Sequence, residues 1–188
     1  MRIISGLFKG KKILEPKDRN TRPLKDLTKE SIFNIIIHSN KLGINLKNTS
    51  VLDLFSGVGS FGIECLSREV KNVTFVENYK NVLPILKKNL FNLKSINNYK
   101  IFETDVFKDE LIFKTDHKFD IIFLDPPYKY RDLSHIFLEI KKNKILNNNG
   151  IIVLHRHKNN KDIYPSCFEI VEEKKYGVSK IIFISELN

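Results

Sequence analysis

The chain has 188 residues, the length of one ordinary domain. Hydrophobic residues form 41% of it and charged residues 29%, a balance that excludes an intrinsically disordered chain. No stretch approaches the ~18 consecutive apolar residues of a membrane helix, and residues 1–6 lose their apolar character too early for a secretory leader. The two cysteines form no Cys-x-x-Cys motif, which excludes a disulfide framework and a zinc ribbon. The sequence predicts a reduced, cytoplasmic protein that does not enter a membrane.

The charge is strongly positive and unevenly distributed. The chain carries 32 Lys or Arg against 22 Asp or Glu, a formal net charge of +10. Most of the basic residues are lysines, which an A/T-rich genome places on any protein surface. Their position is more informative, because residues 1–31 alone hold nine basic and four acidic side chains. This concentration indicates a nucleic-acid contact in the first part of the chain.

The first 40 residues form a small unit of their own in this interpretation. Residues 2–5 and 12–15 flank the turn Lys9-Gly10 and predict a β-hairpin. A helix follows, and its expected buried side chains are Leu27, Ile32, Phe33, Ile36 and Ile37.

From residue 50 onward, short apolar runs alternate with helical patterns. Strands are predicted over residues 51–55, 73–77, 99–102, 119–124 and 150–154, and helices over 60–67, 81–90 and 133–141. Apolar strands separated by helices are typical of a parallel sheet covered on both faces. Residues 167–174 and 180–185 end the chain as an antiparallel hairpin joined through Tyr176-Gly177. The predicted fold class is α/β, with a mostly parallel seven-stranded sheet.

A glycine-rich turn follows the first predicted strand. Gly57-x-Gly59-x-x-Gly62 matches the dinucleotide-binding fingerprint, and Glu77 ends the next strand, where it can accept from the hydroxyls of a ribose. Asp53 stands just before the glycines, where a carboxylate repels a pyrophosphate but attracts a cation. S-adenosylmethionine carries an ammonium and a sulfonium and no phosphate, so the acid favours it over NAD. Asp105 follows the third strand and either accepts from an adenine amino group or caps a local turn.

The tetrapeptide Asp125-Pro126-Pro127-Tyr128 ends the most apolar strand, at the edge where open α/β sheets bind ligands. An exocyclic amine on a nucleobase is a poor nucleophile because its lone pair is delocalised into the ring. The Asp125 carboxylate and the Pro126 carbonyl can accept its two N–H bonds and localise that lone pair. The prolines remove competing N–H donors, and Tyr128 can stack on the base. The tetrapeptide therefore predicts methyl transfer to an amine.

At this point the residues resemble a known family. Asp53 and Gly57-x-Gly59, together with Asp125-Pro126-Pro127-Tyr128, are similar to the class I amino-methyltransferases that depend on S-adenosylmethionine. Further motifs narrow the resemblance: residues 1–6, Gly10-Lys11-Lys12, Arg22-Pro23, Glu30-x-x-Phe33-Asn34 and residues 51–57. With these, nearly the whole chain resembles the RsmD-type methyltransferases, which make N2-methylguanosine in the 16S RNA of the bacterial small ribosomal subunit.

The resemblance implies a role for each matching residue and a Rossmann-like fold. The cofactor would be lined at its methionine end by Asp53, Ser56, Gly57 and Gly59, at its ribose by Glu77, and at its adenine by Asp105 and Val106. Residues Asp125, Pro126, Pro127 and Tyr128 would hold the target guanine. RNA phosphates or the substrate entrance would be contacted by Arg2, Lys9, Lys11, Lys12 and Arg22. Residues 1–40 would then form an RNA-contacting extension and residues 41–188 the methyltransferase domain.

The chain departs from the family pattern at three places. Leu24 stands where the family usually has Thr, residues 26–29 replace an arginine-bearing stretch, and His155-Arg156 replaces a common Glu-His pair. His155-x-His157 offers two metal ligands on one side of a strand, but no third ligand lies near in the sequence and the expected chemistry needs no metal.

The expected activity is transfer of a methyl group to N2 of a guanine in 16S ribosomal RNA by a monomeric enzyme. The substrate is either naked RNA or an assembling small ribosomal subunit. Three alternatives remain open at this point. The same tetrapeptide serves adenine-N6 methyltransferases, the fold serves RNA-binding assembly factors without catalysis, and the glycine turn alone also fits an NAD-dependent oxidoreductase.

Overall fold

The computed structural model describes residues 1–16 and 24–187. Its regular elements are α1 (Asp26–His38), β1 (Ser50–Leu54), α2 (Ser60–Ser67), β2 (Asn72–Val76), α3 (Leu83–Phe91), β3 (Tyr99–Phe102), β4 (Phe119–Leu124), α4 (Ser134–Asn143), β5 (Leu146–His157), β6 (Phe168–Tyr176) and β7 (Ser179–Glu186). Short 3-10 turns cover Leu46–Asn48 and Glu110–Ile112. Within the described ranges, no helix has the length and apolar character required to cross a bilayer.

The seven strands form one sheet in the order β3-β2-β1-β4-β5-β7-β6. Strands β1 to β5 run parallel, whereas β7 pairs antiparallel with both β5 and β6. The predicted fold class is therefore confirmed: the sheet is mostly parallel and ends in an antiparallel hairpin. The order reverses between β1 and β4, where connections leave to opposite sides and open a crevice at the carboxyl ends of the two strands.

The strands bury both faces because their apolar side chains alternate between two cores. In β4, Ile121 and Phe123 face the core beneath α1, α2 and α3, while Ile122 and Leu124 face the core beneath α4. Continuous apolar runs, rather than alternating ones, are what such doubly covered strands require. This is why the strand positions could be predicted closely from the sequence.

Several element boundaries differ from the predicted ones by one to four residues, and those of β1 and β5 have an identifiable cause. Strand β5 begins at Leu146 rather than at residue 150, because Leu146 pairs with Phe119 ahead of a register shift and Asn147 donates to the Asp120 carboxylate at 2.6 Å. Strand β1 ends at Leu54 rather than at Phe55, whose φ of 61° is left-handed and turns the chain out of the sheet.

The first residues pair as a short antiparallel hairpin rather than as two regular strands. Arg2 and Lys12 form an antiparallel bridge, and the N–H groups of Ile3 and Ile13 donate to the carbonyls of Lys11 and Met1 at 2.9 and 3.1 Å. Side chains of α2 also hold the segment. The Glu64 carboxylate accepts from the backbone N–H groups of Ile4 at 2.7 Å and Ser5 at 2.9 Å. Side-chain anchoring by Glu64 thus adds to the short backbone pairing of the hairpin.

Helix α1 buries three of the five predicted side chains. Ile32, Phe33 and Ile36 are buried as expected, but Leu27 is 77% exposed and Ile37 is 43% exposed. Thr28 and Lys29 are buried as well, and the Lys29 side chain is fully enclosed. The spacing of Lys29 to the three apolar residues is that of one helix face, and the prediction missed it because it assigned that face by hydrophobicity alone.

Candidate active site

A cavity of about 700 Å³ lies at the carboxyl ends of β1, β2 and β4. It is lined by acids from the ends of four strands or the turns after them, namely Asp53, Glu77, Asp105 and Asp125, together with residues of the glycine turn and the Pro-Pro segment. The register explains the proximity, because Leu54 of β1 pairs with Leu124 of β4 and with Val76 of β2. The structure therefore brings the two predicted sites into one cavity.

Asp53 is almost completely buried, with 1% of its surface exposed. Its Oδ2 atom accepts from the Gly62 backbone N–H at 3.0 Å, whereas Oδ1 has no hydrogen-bond partner among the described residues. Burial raises the pKa of this carboxyl well above its usual range, the Gly62 bond opposes the shift, and the charges of Asp125 and Glu77 add to it. A buried carboxylate oxygen without a donor is well suited to a cationic ligand.

Gly62, the third glycine of the fingerprint, allows this arrangement. A Cβ atom there would lie 2.3 Å from the Phe75 ring and 2.9 Å from Asp53 Oδ2. Only glycine lets the first turn of α2 approach Asp53 closely enough for the N–H bond. The glycine contributes to the site through the carboxylate that it positions.

Glu77 closes the other side of the glycine turn. One carboxylate oxygen accepts from the Gly57 N–H at 2.7 Å, and the other accepts from the N–H groups of Asn78 and Tyr79, both at 2.8 Å. Gly57 has a φ of 55°, and a Cβ atom there would meet only open space, so its backbone faces the cavity. The turn is therefore held in place by the acid that was predicted to contact the ribose.

The remaining predicted cofactor residues divide into two groups. Asp105 and Ser56 line the cavity, although the Ser56 hydroxyl is already occupied by backbone groups of Asp53 and Val76. Gly59 and Val106 do not line it. Gly59 lies where a Cβ atom would be 2.5 Å from the Leu86 side chain, and Val106 is packed in the core beneath α4.

An aromatic group that the sequence did not predict lies beside the cavity. The Phe107 ring is 5.6 Å from that of Phe55 and 4.4 Å from that of Tyr130, measured between centroids. Phe55 and Tyr130 also line the cavity. Phe55 has a left-handed φ, which is rare for a bulky residue and which sequence patterns do not reveal.

The Asp125-Pro126-Pro127-Tyr128 segment begins directly after β4, and all four residues line the cavity. The Pro127 carbonyl accepts from the Tyr130 N–H at 3.0 Å, which closes a turn. Asp125 Oδ1 lies 2.8 Å from Nδ1 of His155, a residue that the sequence singled out as half of a two-histidine motif and as a departure from the family pattern, but not as a partner of Asp125. In the sequence, the feature that could have drawn attention to His155 was the departure from the family pattern at residues 155 and 156.

Arg156, the second residue of that departure, is completely buried beneath the same segment. Its Nη2 donates to the Tyr130 carbonyl at 2.7 Å, and its Nε donates to Asp162 at 2.8 Å. Lys180 lies 3.6 Å from the other Asp162 oxygen. A charged group paired inside the fold thus supports the loop that follows Tyr128.

The predicted RNA-contacting residues lie on the surface where the structure describes them. Arg2, Lys9, Lys11 and Lys12 are all exposed, and Arg22 falls outside the described residues. Arg2 Nε lies 3.6 Å from Asp26. The Lys11 ammonium contacts the Asn92 carbonyl and lies 5.5 Å from the centre of the Phe8 ring.

This sheet order, with acids from β1, β2 and β4 around one cavity, defines a class I methyltransferase. A solved structure from Haemophilus influenzae, a "putative methylase", is similar to the chain at a TM-score of 0.77 and 30% identity, and the match covers 100% of this chain and 99% of that one. Another solved chain, a "putative methyltransferase complexed with SAH", shares the fold at a TM-score of 0.63 and 17% identity, over 84% of this chain and 49% of that one.

The family model described as "Conserved hypothetical protein 95" matches residues 1–185. The chain belongs to this family, that of the RsmD-type methyltransferases. Two curated relatives bear the name "Ribosomal RNA small subunit methyltransferase D". The one from Haemophilus influenzae is 32% identical, over 95% of this chain and 90% of the relative. The one from Buchnera aphidicola (subspecies Baizongia pistaciae) is 35% identical, over 93% of this chain and 86% of the relative. The resemblance stated from the sequence is thereby confirmed.

Proposed function

We propose that this protein transfers a methyl group from S-adenosylmethionine to the exocyclic N2 of a guanine in 16S ribosomal RNA. The observation that carries the proposal is the meeting of Asp53 and Asp125 in one cavity, at the ends of neighbouring strands. One acid is suited to a cationic cofactor and the other to an amine. Two curated relatives are named ribosomal RNA small subunit methyltransferases, which supports RNA as the substrate.

The described residues fit S-adenosylmethionine, which supplies an electrophilic methyl group on a sulfonium. Asp53 Oδ1, buried and without a protein donor, would accept from the ammonium group of the methionine end. Glu77 retains about one lone-pair site beyond the three N–H bonds that it accepts, on the oxygen that accepts from Gly57, and would accept there from a ribose hydroxyl. Asp105 would accept from the adenine amino group.

At the target, Asp125 Oδ2 and the Pro126 carbonyl would each accept one N–H bond of the guanine amine. These two acceptors direct the nitrogen lone pair toward the methyl group. Orientation of this kind lowers the activation barrier by roughly several kcal/mol or more. Tyr128 would stack on the base. After transfer, the amine gives up one proton, for which Asp125 is the nearest acceptor in this arrangement.

The exposed basic residues of the first 40 would contact RNA phosphates, and residues 41–188 would carry the chemistry. Arg2, Lys9, Lys11 and Lys12 lie on the surface of the same segment that Glu64 fixes to α2. The enzyme would act as a monomer on naked RNA or on an assembling small subunit. Comparison of purified 16S RNA with partly assembled particles as substrates separates these two possibilities.

The decisive experiment compares RNA from cells with and without the gene by nucleoside analysis and by mapping of methylated guanines. Loss of one N2-methylguanosine in 16S RNA is the expected result. Loss of N6-methyladenine instead would replace the substrate by adenine, and no change in either nucleoside would favour a non-catalytic assembly factor.

The Asp125→Ala variant separates catalysis from cofactor binding. It should abolish methyl transfer and leave the affinity for S-adenosylhomocysteine nearly unchanged, because Asp125 faces the amine rather than the cofactor. Isothermal titration calorimetry measures the affinity, and transfer of radioactive methyl to RNA measures the activity. Equal loss of both would show that Asp125 belongs to the cofactor site, and tight NADH binding without S-adenosylhomocysteine binding would indicate an oxidoreductase.

A further inference from the structure

The carboxylate of Asp125 is fixed from behind by a side chain of the neighbouring strand. Leu124 of β4 pairs with Leu154 of β5, so the residues that follow them, Asp125 and His155, lie side by side. His155 Nδ1 is 2.8 Å from Asp125 Oδ1, and the exposed fractions of the two side chains are 8% and 21%. A short contact at this level of enclosure constrains the orientation of both groups.

The contact assigns the proton on the imidazole ring. An ionised carboxylate offers only acceptor atoms, so the shared hydrogen belongs to His155 Nδ1. Oδ1 of Asp125 is thereby engaged, and Oδ2 is the oxygen left to accept from the guanine amine. The ring of His155 also lies 6.3 Å from that of Tyr128 in an edge arrangement, which places it against both groups expected to hold the base.

We propose that His155 is a positioning residue for methyl transfer: its Nδ1–H holds the Asp125 carboxylate in the one orientation that presents Oδ2 to the target amine. This inference rests on the proposed function. Methyl transfer requires the nitrogen lone pair to point along the sulfur–methyl bond, and the direction of the lone pair follows from the direction of the accepting oxygen. A carboxylate that rotates freely loses this alignment while still binding the base.

Two substitutions separate the hydrogen bond from the bulk of the ring. His155→Ala removes the donor, and we expect kcat to fall about 10²-fold because small misplacements at a reacting centre have effects of this size. His155→Asn keeps an N–H donor at the position of Nδ1 and should recover most of the lost kcat. KM for RNA and the affinity for S-adenosylhomocysteine should stay unchanged in both variants, since neither ligand is held by His155.

A histidine at the opposite edge of the sheet provides the matched control. His117 precedes β4, is exposed, and has its ring nitrogen 3.3 Å from Asn72. His117→Ala should have the kcat of the wild type. Wild-type kcat in His155→Ala would overturn the inference, as would a His155→Asn variant that is no more active than His155→Ala. Absence of transfer by the wild-type enzyme would instead contradict the proposed function.

A spectroscopic test does not depend on activity. Long-range ¹H–¹⁵N correlation spectra identify which ring nitrogen of a histidine carries the proton, and the spectra of His155→Asn assign the His155 signals by their loss. We expect the Nδ1–H form for His155 in the wild type and its loss in Asp125→Ala. An Nε2–H form in the wild type, or a form indifferent to Asp125→Ala, would show that the hydrogen bond does not set the orientation of the carboxylate.

Discussion

Asp53 combines nearly complete burial with a single hydrogen bond to one of its two oxygens. Burial raises the pKa of its carboxyl well above the ordinary value, and the nearby charges of Asp125 and Glu77 raise it further. A cationic ligand requires the ionised form, so its binding must release a proton wherever the free protein keeps the carboxyl protonated. The affinity for S-adenosylmethionine and S-adenosylhomocysteine should therefore rise with pH through the raised pKa.

Calorimetry in buffers of different ionisation enthalpy measures the released proton directly. Asp53→Asn should lose both the affinity and its pH dependence, while Asp116→Asn, a change at an exposed acid, should alter neither. An affinity that stays constant from acidic to neutral pH would contradict the role given to Asp53.

The same shift predicts an effect on folding. A carboxyl whose pKa is higher in the folded than in the unfolded protein stabilises the fold while it is protonated. Its contribution to the free energy of unfolding is lost as the pH rises from the pKa of the unfolded state to that of the folded state. Asp53→Asn removes this loss and should melt at a higher temperature than the wild type at neutral pH. Thermal unfolding followed by circular dichroism tests this expectation, and a lower melting temperature at neutral pH would contradict it.

At this scale, sequence reasoning identified the residues with a chemical signature. Asp53, Glu77 and Asp125 were predicted because each lies in or directly after the end of a predicted strand, and Asp53 and Asp125 also precede glycines or prolines. His155 and Arg156 were missed because their partners, Asp125 and the Tyr130 carbonyl, are about 30 residues away in the chain and come close only through the pairing of β4 with β5. A register between strands is a tertiary property that local patterns do not contain.

Helix α2 carries a buried charged group that joins three elements. Glu64 is fully enclosed and lies 3.5 Å from the Lys29 ammonium of α1 and 2.9 Å from Arg68 Nε. It also accepts the N–H bonds of Ile4 and Ser5, and Lys29 donates to the Arg2 carbonyl at 2.7 Å. Burial lowers the pKa of Lys29, and the charge of Glu64 opposes that shift. The basic segment is thus attached to the helix that begins at the glycine turn.

Removal of one partner from this buried group should lower the free energy of unfolding. Glu64→Ala leaves Lys29 buried without its counter-charge and leaves two backbone N–H groups without acceptors. Loss of a partner from a buried ion pair destabilises proteins by about 3–5 kcal/mol, which lowers the melting temperature by roughly 10 °C in a chain of this size. Glu30→Ala changes an exposed acid on α1 and should alter the free energy of unfolding by less than about 0.5 kcal/mol. Equal melting temperatures of the two variants would show that the buried group does not stabilise the fold.

The elements differ in how well the sequence predicted them. Strands β3 and β4 and helix α2 agree with the predicted bounds because their apolar runs are bounded by glycine or polar residues. The first segment and α1 were interpreted less well, since the packing there depends on Glu64 and Lys29. The sequence does not distinguish a buried lysine from an exposed one, because the ion-pair partner, here Glu64, comes close only in the fold.

At the scale of the whole molecule, the basic first segment of the chain runs to the cavity. Leu14 exchanges hydrogen bonds with the Asn89 side chain of α3, and Asn89 also donates to the Val58 carbonyl of the glycine turn. Pro16, two residues further on, lines the cavity. The segment that bears Lys11 and Lys12 therefore leads directly from the surface to the site, which is the arrangement that a nucleic-acid substrate would need.

A charge-neutralising triple variant tests whether this segment binds RNA. Lys9, Lys11 and Lys12 are exposed, and each phosphate contact that is lost should reduce the slope of log affinity against log salt by about one. The combined change to Ala should therefore weaken RNA binding most at low salt and flatten its salt dependence. It should leave S-adenosylhomocysteine binding intact, because none of the three lysines lines the cavity.

The control triple Lys47, Lys71 and Lys118 to Ala removes the same charge just before β1, β2 and β4, at the opposite edge of the sheet. Fluorescence anisotropy with labelled RNA over a range of salt concentrations measures both slopes. Equal slopes for the two variants would assign the RNA contact to the net charge of the molecule rather than to its first residues.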